Sequence, residues 1–473
     1  MRVDQRIDKG ILVSMTKNLL NRVTGLFTGL RRNADSTNTS EHTPASRIIP
    51  EDIHQISRHD LNNNALSVVY NLNDAGHEAY LVGGCIRDLL LGQKPKDFDV
   101  ATAAHPDVAQ KALPRARLIG RRFKLVHVRF GRELIEVATF RAGHEADNTS
   151  KSEHGKQNAA GLIVRDNVYG SITDDAMRRD FTVNALYYNV NDHSVYDYAN
   201  GYEDIQRRVL RMIGDPQARY REDPVRMLRA ARFAAKLGFE VEKKTAKPIP
   251  ELAHLLKDIS PARLFDESLK LFQSGYGTEV YHQLQRFNLF VQLYPLTDAA
   301  IKQGDTPAEA LLLRALQNTD KRVQQGKSIT PAFLYAALLW YPLTQKLAQI
   351  EAQSDMPTMA AFHEAAKQVL MTQVSCTSIP KRFSATIKEI WELQLRFPRR
   401  SPKAAATSYE HPRFRAAYDL LILREQSGED LDGLGQWWTN YQKEHKPPQR
   451  QPRRYDKPRN EGRGRRPRRD NRG

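Results

Sequence analysis

The chain has 473 residues, 40% of them apolar, which suffices for a sizeable core in two or three domains and excludes a disordered or fibrous protein. Lys and Arg number 72 against 55 Asp and Glu, a formal net charge of +17, so an anionic partner is expected. Two cysteines, Cys85 and Cys376, in no metal or redox spacing, exclude a disulfide framework and a zinc site and point to a reducing, cytoplasmic setting.

In "MTKNLLNRVTGLFTGLRRN", Leu19, Leu20, Val23, Leu26, Phe27 and Leu30 recur at helical spacing among Lys17, Arg22, Arg31 and Arg32. Such an amphipathic helix suits peripheral contact of residues 17–32 with an anionic membrane, docking on a partner, or packing on its own protein, and the pattern leaves all three open. Met15 opens this stretch and is an alternative start to Met1. No secretory signal and no apolar run of membrane-spanning length is present. "NADSTNTSEHTPASR" is a polar linker, and residues 1–50 form an N-terminal segment.

From 51 to 190, strand-like runs ("AYLVGG", "DFDVAT", "KLVHVRF", "LIEVATF", "LYYNV") alternate with short helices. From 191 nearly everything has helical periodicity, in a neck (191–275) and a body (276–445). The predicted fold class is α+β, a small mixed-sheet head on an all-helical neck and body. Within the head, the polar stretch from Ala146 to Gly161 reads as a mobile loop near the catalytic face. Residues 446–473, with twelve Lys/Arg against three Asp/Glu, lack the apolar content to fold. Such a tail suits RNA phosphates, or simply solubilises the protein.

The chemistry concentrates in "LVGGCIRDLLLGQKPKDFDVAT", residues 81–102. "AYLV" is a strand, Gly83 and Gly84 the turn, and "CIRDLLLG" a helix whose first amides suit a triphosphate. Side chains alternate along a strand, so Asp97 and Asp99 share one face while Phe98 and Val100 anchor the other. Two such carboxylates suit hard cations, here a two-ion Mg²⁺ site that stabilises both the attacking hydroxyl and the leaving pyrophosphate of a nucleotidyl transfer. A lone Gly-Gly turn or a lone Asp-x-Asp is commonplace; their combination in this order is specific.

That combination resembles the nucleotidyltransferases that include bacterial poly(A) polymerases and class II CCA-adding enzymes, with further matching blocks over roughly residues 60–275. The resemblance implies a third carboxylate, for which Glu136 in "LIEVATFR" and Asp180 in "MRRDFTVNALYY" are both candidates; Asp180 is otherwise an N-cap of a helix "FTVNAL". It implies that Arg87 and Arg179 contact the nucleotide's phosphates or ribose. In "YREDPVRMLRAARFAAKLG" a helix begins near Asp223 with Pro224 in its first turn. Asp223 and Arg226, three apart, form either an i,i+3 salt bridge or, by the resemblance, the pair that reads the Watson–Crick edge of the incoming base. Adenine and cytosine match an aspartate acceptor beside an arginine donor; guanine and uracil leave buried groups unpaired at about 1–3 kcal/mol each. Arg229 and Arg232 face the nucleotide in the resembling enzymes, whereas Leu228, Ala231, Phe233 and Ala234 read as core.

Because that pair admits ATP and CTP alike, other residues must separate the branches. "LIGRRFKLVHVRFG", with Arg121, Arg122, Phe123 and His127, resembles the block that marks the bacterial poly(A) polymerases. "ISPARLFDESLKLFQSGYG", "TPAFLYAALLWYPL", "SIPKRF" and "HPRFRAAYDLL" extend the likeness through the body, which the resemblance implies is RNA-binding. His127 reads as a packed or hydrogen-bonded histidine, not a base. Cys85 replaces a small residue and is open to oxidation. The implied activity is template-independent transfer of AMP from ATP to RNA 3′-hydroxyls, with CCA addition to tRNA as the rival and a non-catalytic RNA-binding adaptor as the alternative of another class. Arg121, Arg122, Arg465, Arg466, Arg468 and Arg469 are the candidate RNA contacts. Expected partners are RNA 3′ ends and RNA-degradation or RNA-chaperone proteins, and the chain is expected to be a monomer.

Overall fold

A computed structural model describes residues 47–120, 124–142, 155–157, 163–166 and 168–445. The helix predicted over residues 17–32, Arg121 to Phe123, and the tail with Arg465, Arg466, Arg468 and Arg469 lie outside the described residues. The first strands are β1 (Arg47–Ile49), β2 (Ala79–Val82), β3 (Asp99–Thr102), β4 (Ala116–Ile119), β5 (Leu125–Phe130) and β6 (Glu133–Thr139). After them come β7 (Gly155–Gln157), β8 (Ile163–Asp166), β9 (Leu186–Asn189) and β10 (Ser194–Asp197). Eight of these form one mixed sheet in the order β1-β10-β9-β2-β3-β6-β5-β4. Its one parallel pair is β3 with β6, in the register Asp99↔Glu136.

Alternation gives the sheet two different faces. Leu81, Val100, Val126, Val137 and Tyr188 join the main hydrophobic core beneath α1 (Asn63–Asp74). Tyr80, Val82, Ala101 and Tyr187 build a smaller cluster on the other face with Ala176 of α3 (Ile172–Arg178). The turn after β2 leads into α2 (Gly84–Leu90), which lies between these two helices in sequence.

In the neck, Asp215 accepts from Ala218 N–H and starts α4 (Pro216–Glu222), which has proline in its first turn. Pro224 opens α5 (Val225–Leu237), which ends at Gly238 with a positive φ of 64°. Ser260 caps α6 (Pro261–Phe272). The body continues through α7 (Ala308–Gln324), α8 (Lys381–Arg396) and α9 (Phe414–Gln426), and the apolar core runs without a break from Ile49 to Trp438. Among the described residues no helix is long and apolar enough to cross a membrane.

Several boundaries differ from expectation. Residues 47–49 and 194–197 pair as the edge of the head sheet, so the head begins before 51 and extends past 190. The neck holds a parallel two-residue pair, β11 (Val209–Leu210) with β12 (Glu240–Val241), too short to leave a period-2 pattern. Within the polar stretch 146–161, Gly155–Gln157 pairs with β8 as a small antiparallel ladder instead of a loop.

Candidate active site

Gly83 ends β2 with φ 79° and ψ −123°, a backbone conformation that favours glycine. Its amide donates to the Leu186 carbonyl at 3.0 Å, so anion-directed donors at this turn begin only with the amides after it. A Cβ on Gly83 would lie 3.3 Å from Arg179 Nη1 and 3.5 Å from the Asn184 carbonyl. The glycine therefore makes room for Arg179. That guanidinium donates to Asp175 at 2.9 Å and to the Tyr187 hydroxyl at 2.9 Å, and lies over the Tyr187 ring at 5.1 Å.

The carboxylates lie beside it. Asp97 precedes β3 in irregular chain with its side chain 73% exposed; Asp99 is the first strand residue. Buried Phe98 and Val100 alternate with them, as the pattern requires. Across the parallel ladder, Asp99 is registered with Glu136, and Glu136 with His127 on β5. His127 Nε2 approaches Glu136 Oε1 at 3.4 Å without forming a hydrogen bond, so the histidine is packed but not satisfied. Asp99 is open to solvent from the cleft, yet the protein around it withdraws water and, with Glu136 opposite, raises its carboxyl to about 6 against the pull of Arg179. Among the described residues no three His, Cys, Asp or Glu side chains gather closely enough to hold an ion. Hard oxygen donors that include the solvent-facing Asp97 and Asp99 nonetheless fit a divalent cation that shares its coordination with substrate phosphates.

Asp180 has different neighbours. Its carboxylate accepts from Phe181 N–H at 2.8 Å, Asn184 Nδ2 at 3.1 Å and Arg229 Nε at 2.7 Å. The predicted helix "FTVNAL" is a three-residue 3-10 turn, Thr182–Asn184, capped at Phe181, because Asp180 is turned toward α5. Burial opposes its ionisation, but Arg229, Asn184 and the Phe181 amide hold its carboxyl at about 2. Asn184 also accepts from Arg87 Nη1 at 2.5 Å, tying the Asp180 pair to α2. Arg87 is itself buried and donates to Asp88, which Lys236 Nζ approaches at 3.3 Å.

On the neck side the i,i+3 bridge between Asp223 and Arg226 does not form. Asp223 Oδ2 accepts from Arg263 Nη2 at 2.7 Å, and Arg226 Nη1 donates to Glu222 at 2.7 Å and to the Arg219 carbonyl at 2.8 Å. Pro224 bends the chain between α4 and α5, which sends the two side chains to different partners. Phe233, expected as core, is buried but also carries three guanidinium groups, Arg232 at 4.5 Å, Arg229 at 5.2 Å and Arg87 at 5.3 Å from its ring centre. Burial and then neighbouring arginines lower Arg178 to about 9 and both Arg219 and Arg232 to about 10. So many buried cations in one region suit a polyanion such as a triphosphate.

The structure thus gathers Gly83, Arg179, Asp99 and Glu136 on one face, and Asp180, Arg229, Arg232 and Arg87 around Asn184 and Phe233. Sequence reasoning missed Asn184, Asp175, Tyr187, Asp88 and Arg263. Asp175 was detectable, four residues before Arg179, and Asp88 is the chain neighbour of Arg87; Asn184 and Arg263 meet partners 97 and 40 residues away, and Tyr187 reaches Arg179 from the next strand. The expected oxidation of Cys85 is corrected. Its side chain is buried, its Sγ lies 3.3 Å from the Val82 carbonyl, and burial pushes the thiol up to about 12.

Comparison with known proteins follows this geometry. Family models match as "Poly A polymerase head domain" over residues 79–211, "Probable RNA and SrmB- binding site of polymerase A" over 238–301, and "Polymerase A arginine-rich C-terminus" over 354–472. The chain is 50% identical over 412 residues, 86% of its length and 88% of the relative's, to poly(A) polymerase I of Salmonella typhimurium. It is 33% identical over 372 residues, 78% of its length and 86% of the relative's, to the CCA-adding enzyme of Bacillus pumilus. The solved CCA-adding enzyme of Bacillus stearothermophilus with CTP shares the fold, with TM-score 0.53 at 23% identity over 80% of each chain. A glycine turn, two facing carboxylates and an arginine-rich neck thus recur in a chain that belongs to the bacterial poly(A) polymerase I branch of the nucleotidyltransferase family that also contains the CCA-adding enzymes.

Proposed function

We propose that the protein adds adenylate units to RNA 3′ ends without a template, transferring AMP from ATP to the terminal 3′-hydroxyl with release of pyrophosphate. The observation that carries this reading is the 50% identity to poly(A) polymerase I over nearly the whole chain, against 33% to a CCA-adding enzyme.

Asp97, Asp99 and Glu136 would hold Mg²⁺ ions, which when bound supply Lewis acidity at the 3′-hydroxyl and neutralise charge on the pyrophosphate. Arg179, fixed by Asp175 and Tyr187, lies where it can bind a phosphate beside Gly83. Gly84 and Arg87 complete that wall, Asn184 and Asp88 orienting Arg87. Asp180 orients Arg229 toward the nucleotide through their ion pair, a positioning role, while Arg232 has a buried Nε without a partner and is free to take a phosphate or ribose oxygen. Asp223 and Arg226 read the amino group and ring nitrogen of adenine after exchanging their present partners, Arg263 and Glu222.

The test is incubation of the purified chain with a labelled unstructured RNA and each nucleoside triphosphate separately. ATP should give a ladder extended by tens of adenylates, with CTP far slower. CTP incorporation that halts at a completed CCA end on tRNA, with no ATP ladder, would transfer the chain to CCA addition.

A further inference from the structure

The neck helix α4 carries an arginine that none of the roles above uses. The Arg219 side chain is 13% exposed, so its bonds compete little with water. Its Nη2 donates to the carbonyls of Arg178 and Arg179, the latter at 2.8 Å, and so satisfies groups that the end of α3 leaves without partners inside the helix. Its Nη1 donates to Glu222 at 2.8 Å. The Arg219 carbonyl accepts from the Asp223 amide at 3.3 Å and from Arg226 Nη1 at 2.8 Å. One residue thus touches the main chain of Arg179 in the head and both Asp223 and Arg226 in the neck.

Glu222 completes the connection. Its Oε2 accepts from Arg219 at 2.8 Å and from Arg226 at 2.7 Å, so two guanidinium groups share one carboxylate oxygen. Burial, and after it the charge of Arg226, lowers Arg219 to about 10. When Arg226 turns to a base, Glu222 is left to Arg219 and that repulsion falls. Arg219 Nε has no acceptor among the described residues, so the bridge rests on the two terminal nitrogens, a fork that the single nitrogen of lysine does not reproduce. Capping α3 would be a purely structural use of these bonds, but other bonds already hold the junction. Thr182 N–H donates to the Arg211 carbonyl and Ile213 N–H to the Asp180 carbonyl, each at 3.0 Å. Sharing Glu222 with Arg226 has no part in capping.

We infer that Arg219 is a positioning residue that couples base recognition by Asp223 and Arg226 to phosphate binding by Arg179. Turning Arg226 onto a base frees Glu222 for Arg219, which firms the backbone that carries Arg179. The inference rests on the nucleotide-transferring reading for the roles of Asp223, Arg226 and Arg179. It turns two separate contacts into one linked site, in which a base that fails to draw Arg226 away also fails to improve phosphate binding.

Coupling between sites is reciprocal, so the two halves of the substrate measure it. Tripolyphosphate is titrated into the full chain by calorimetry in Mg²⁺, with and without saturating adenosine. Adenosine should tighten tripolyphosphate binding about fivefold or more, and tripolyphosphate should tighten adenosine binding by the same factor. Guanosine, which does not match the base-reading pair, should leave tripolyphosphate binding unchanged. In Arg219→Lys the factor should fall to about one while each half alone binds nearly as in wild type. Glu222→Gln, which keeps the two carbonyl contacts and removes the shared charge, should lower the factor likewise and decides the matter if the lysine variant does not fold. A merely structural role would lower the melting temperature and both separate affinities and leave the factor intact, and that result would overturn the proposal. Coupling absent from the wild type would overturn it too, without touching adenylate addition. A chain that couples the two halves through Arg219 but adds no adenylate to RNA would instead refute the activity and leave the coupling standing.

Discussion

Asp99 and Asp180 show how two carboxylates in one cleft acquire opposite properties. Burial and then Glu136, facing it across a parallel ladder, disfavour the ionised form of Asp99 and raise its carboxyl to about 6, whereas Arg229 holds that of Asp180 down to about 2. Asp99→Asn should therefore reduce adenylate transfer by about 10³ or more through lost cation binding, while leaving the melting temperature at or above that of wild type. Near-normal turnover would remove Asp99 from the cation site. Asp180→Asn should behave differently, costing about 3 kcal/mol in urea titration at neutral pH because Arg229 is left buried and uncompensated. The sign of its pH dependence follows from the lowered carboxyl: the pair's contribution is complete above the ordinary aspartate range near 4 and fades as pH falls towards about 2. The stability gap between wild type and Asp180→Asn should thus narrow as urea titrations move from pH 5 to pH 3, and a constant gap would contradict the ion pair. Only part of this was legible in the chain. Alternation in "DFDV" is a local property, and Phe98 and Val100 are buried as it requires, but the surroundings of Glu136 and Asp180 depend on the register of β3 with β6 and on a partner 49 residues away, which no local pattern encodes.

At the scale of elements, the strand–turn–helix from Ala79 to Leu90 was readable because its apolar run, its glycines and its helical spacing are all local. The edge strands β1 and β4, and β10 beside β1, were not, since runs of three or four residues carry too little periodicity, and their pairing is set by the sheet they complete. The two glycines of the turn also prove unequal. Gly83 has a positive φ and sits against Arg179; at Gly84 a Cβ would meet nothing closer than Arg87 Nη2 at 3.5 Å. Gly83→Ala should cost about 1–2 kcal/mol of stability and raise the KM for ATP tenfold or more by displacing Arg179. Gly84→Ala should be mild on both measures. Equal effects of the two substitutions would mean that the turn's role is general flexibility and not room for one arginine.

Across the whole molecule, the continuous apolar core joins head, neck and body, but charge is distributed unevenly along the chain. Of the formal +17, +9 belongs to residues 446–473, which leaves +8 on the preceding 445 residues. The residues before the tail therefore carry a modest excess, while the tail sets twelve Lys and Arg against only three Asp and Glu. Counterion release makes each phosphate contact on a single strand contribute about 0.7 to the slope of log affinity against log salt. If half of the tail's twelve Lys and Arg engage phosphates, deleting residues 446–473 should lower that slope by about four and weaken RNA binding at low salt by tenfold or more. The rate at saturating RNA should remain, because the cleft residues lie in other elements. A slope unchanged by the deletion would mean that the tail serves solubility alone, and cations of the preceding residues would then account for the whole electrostatic attraction to RNA.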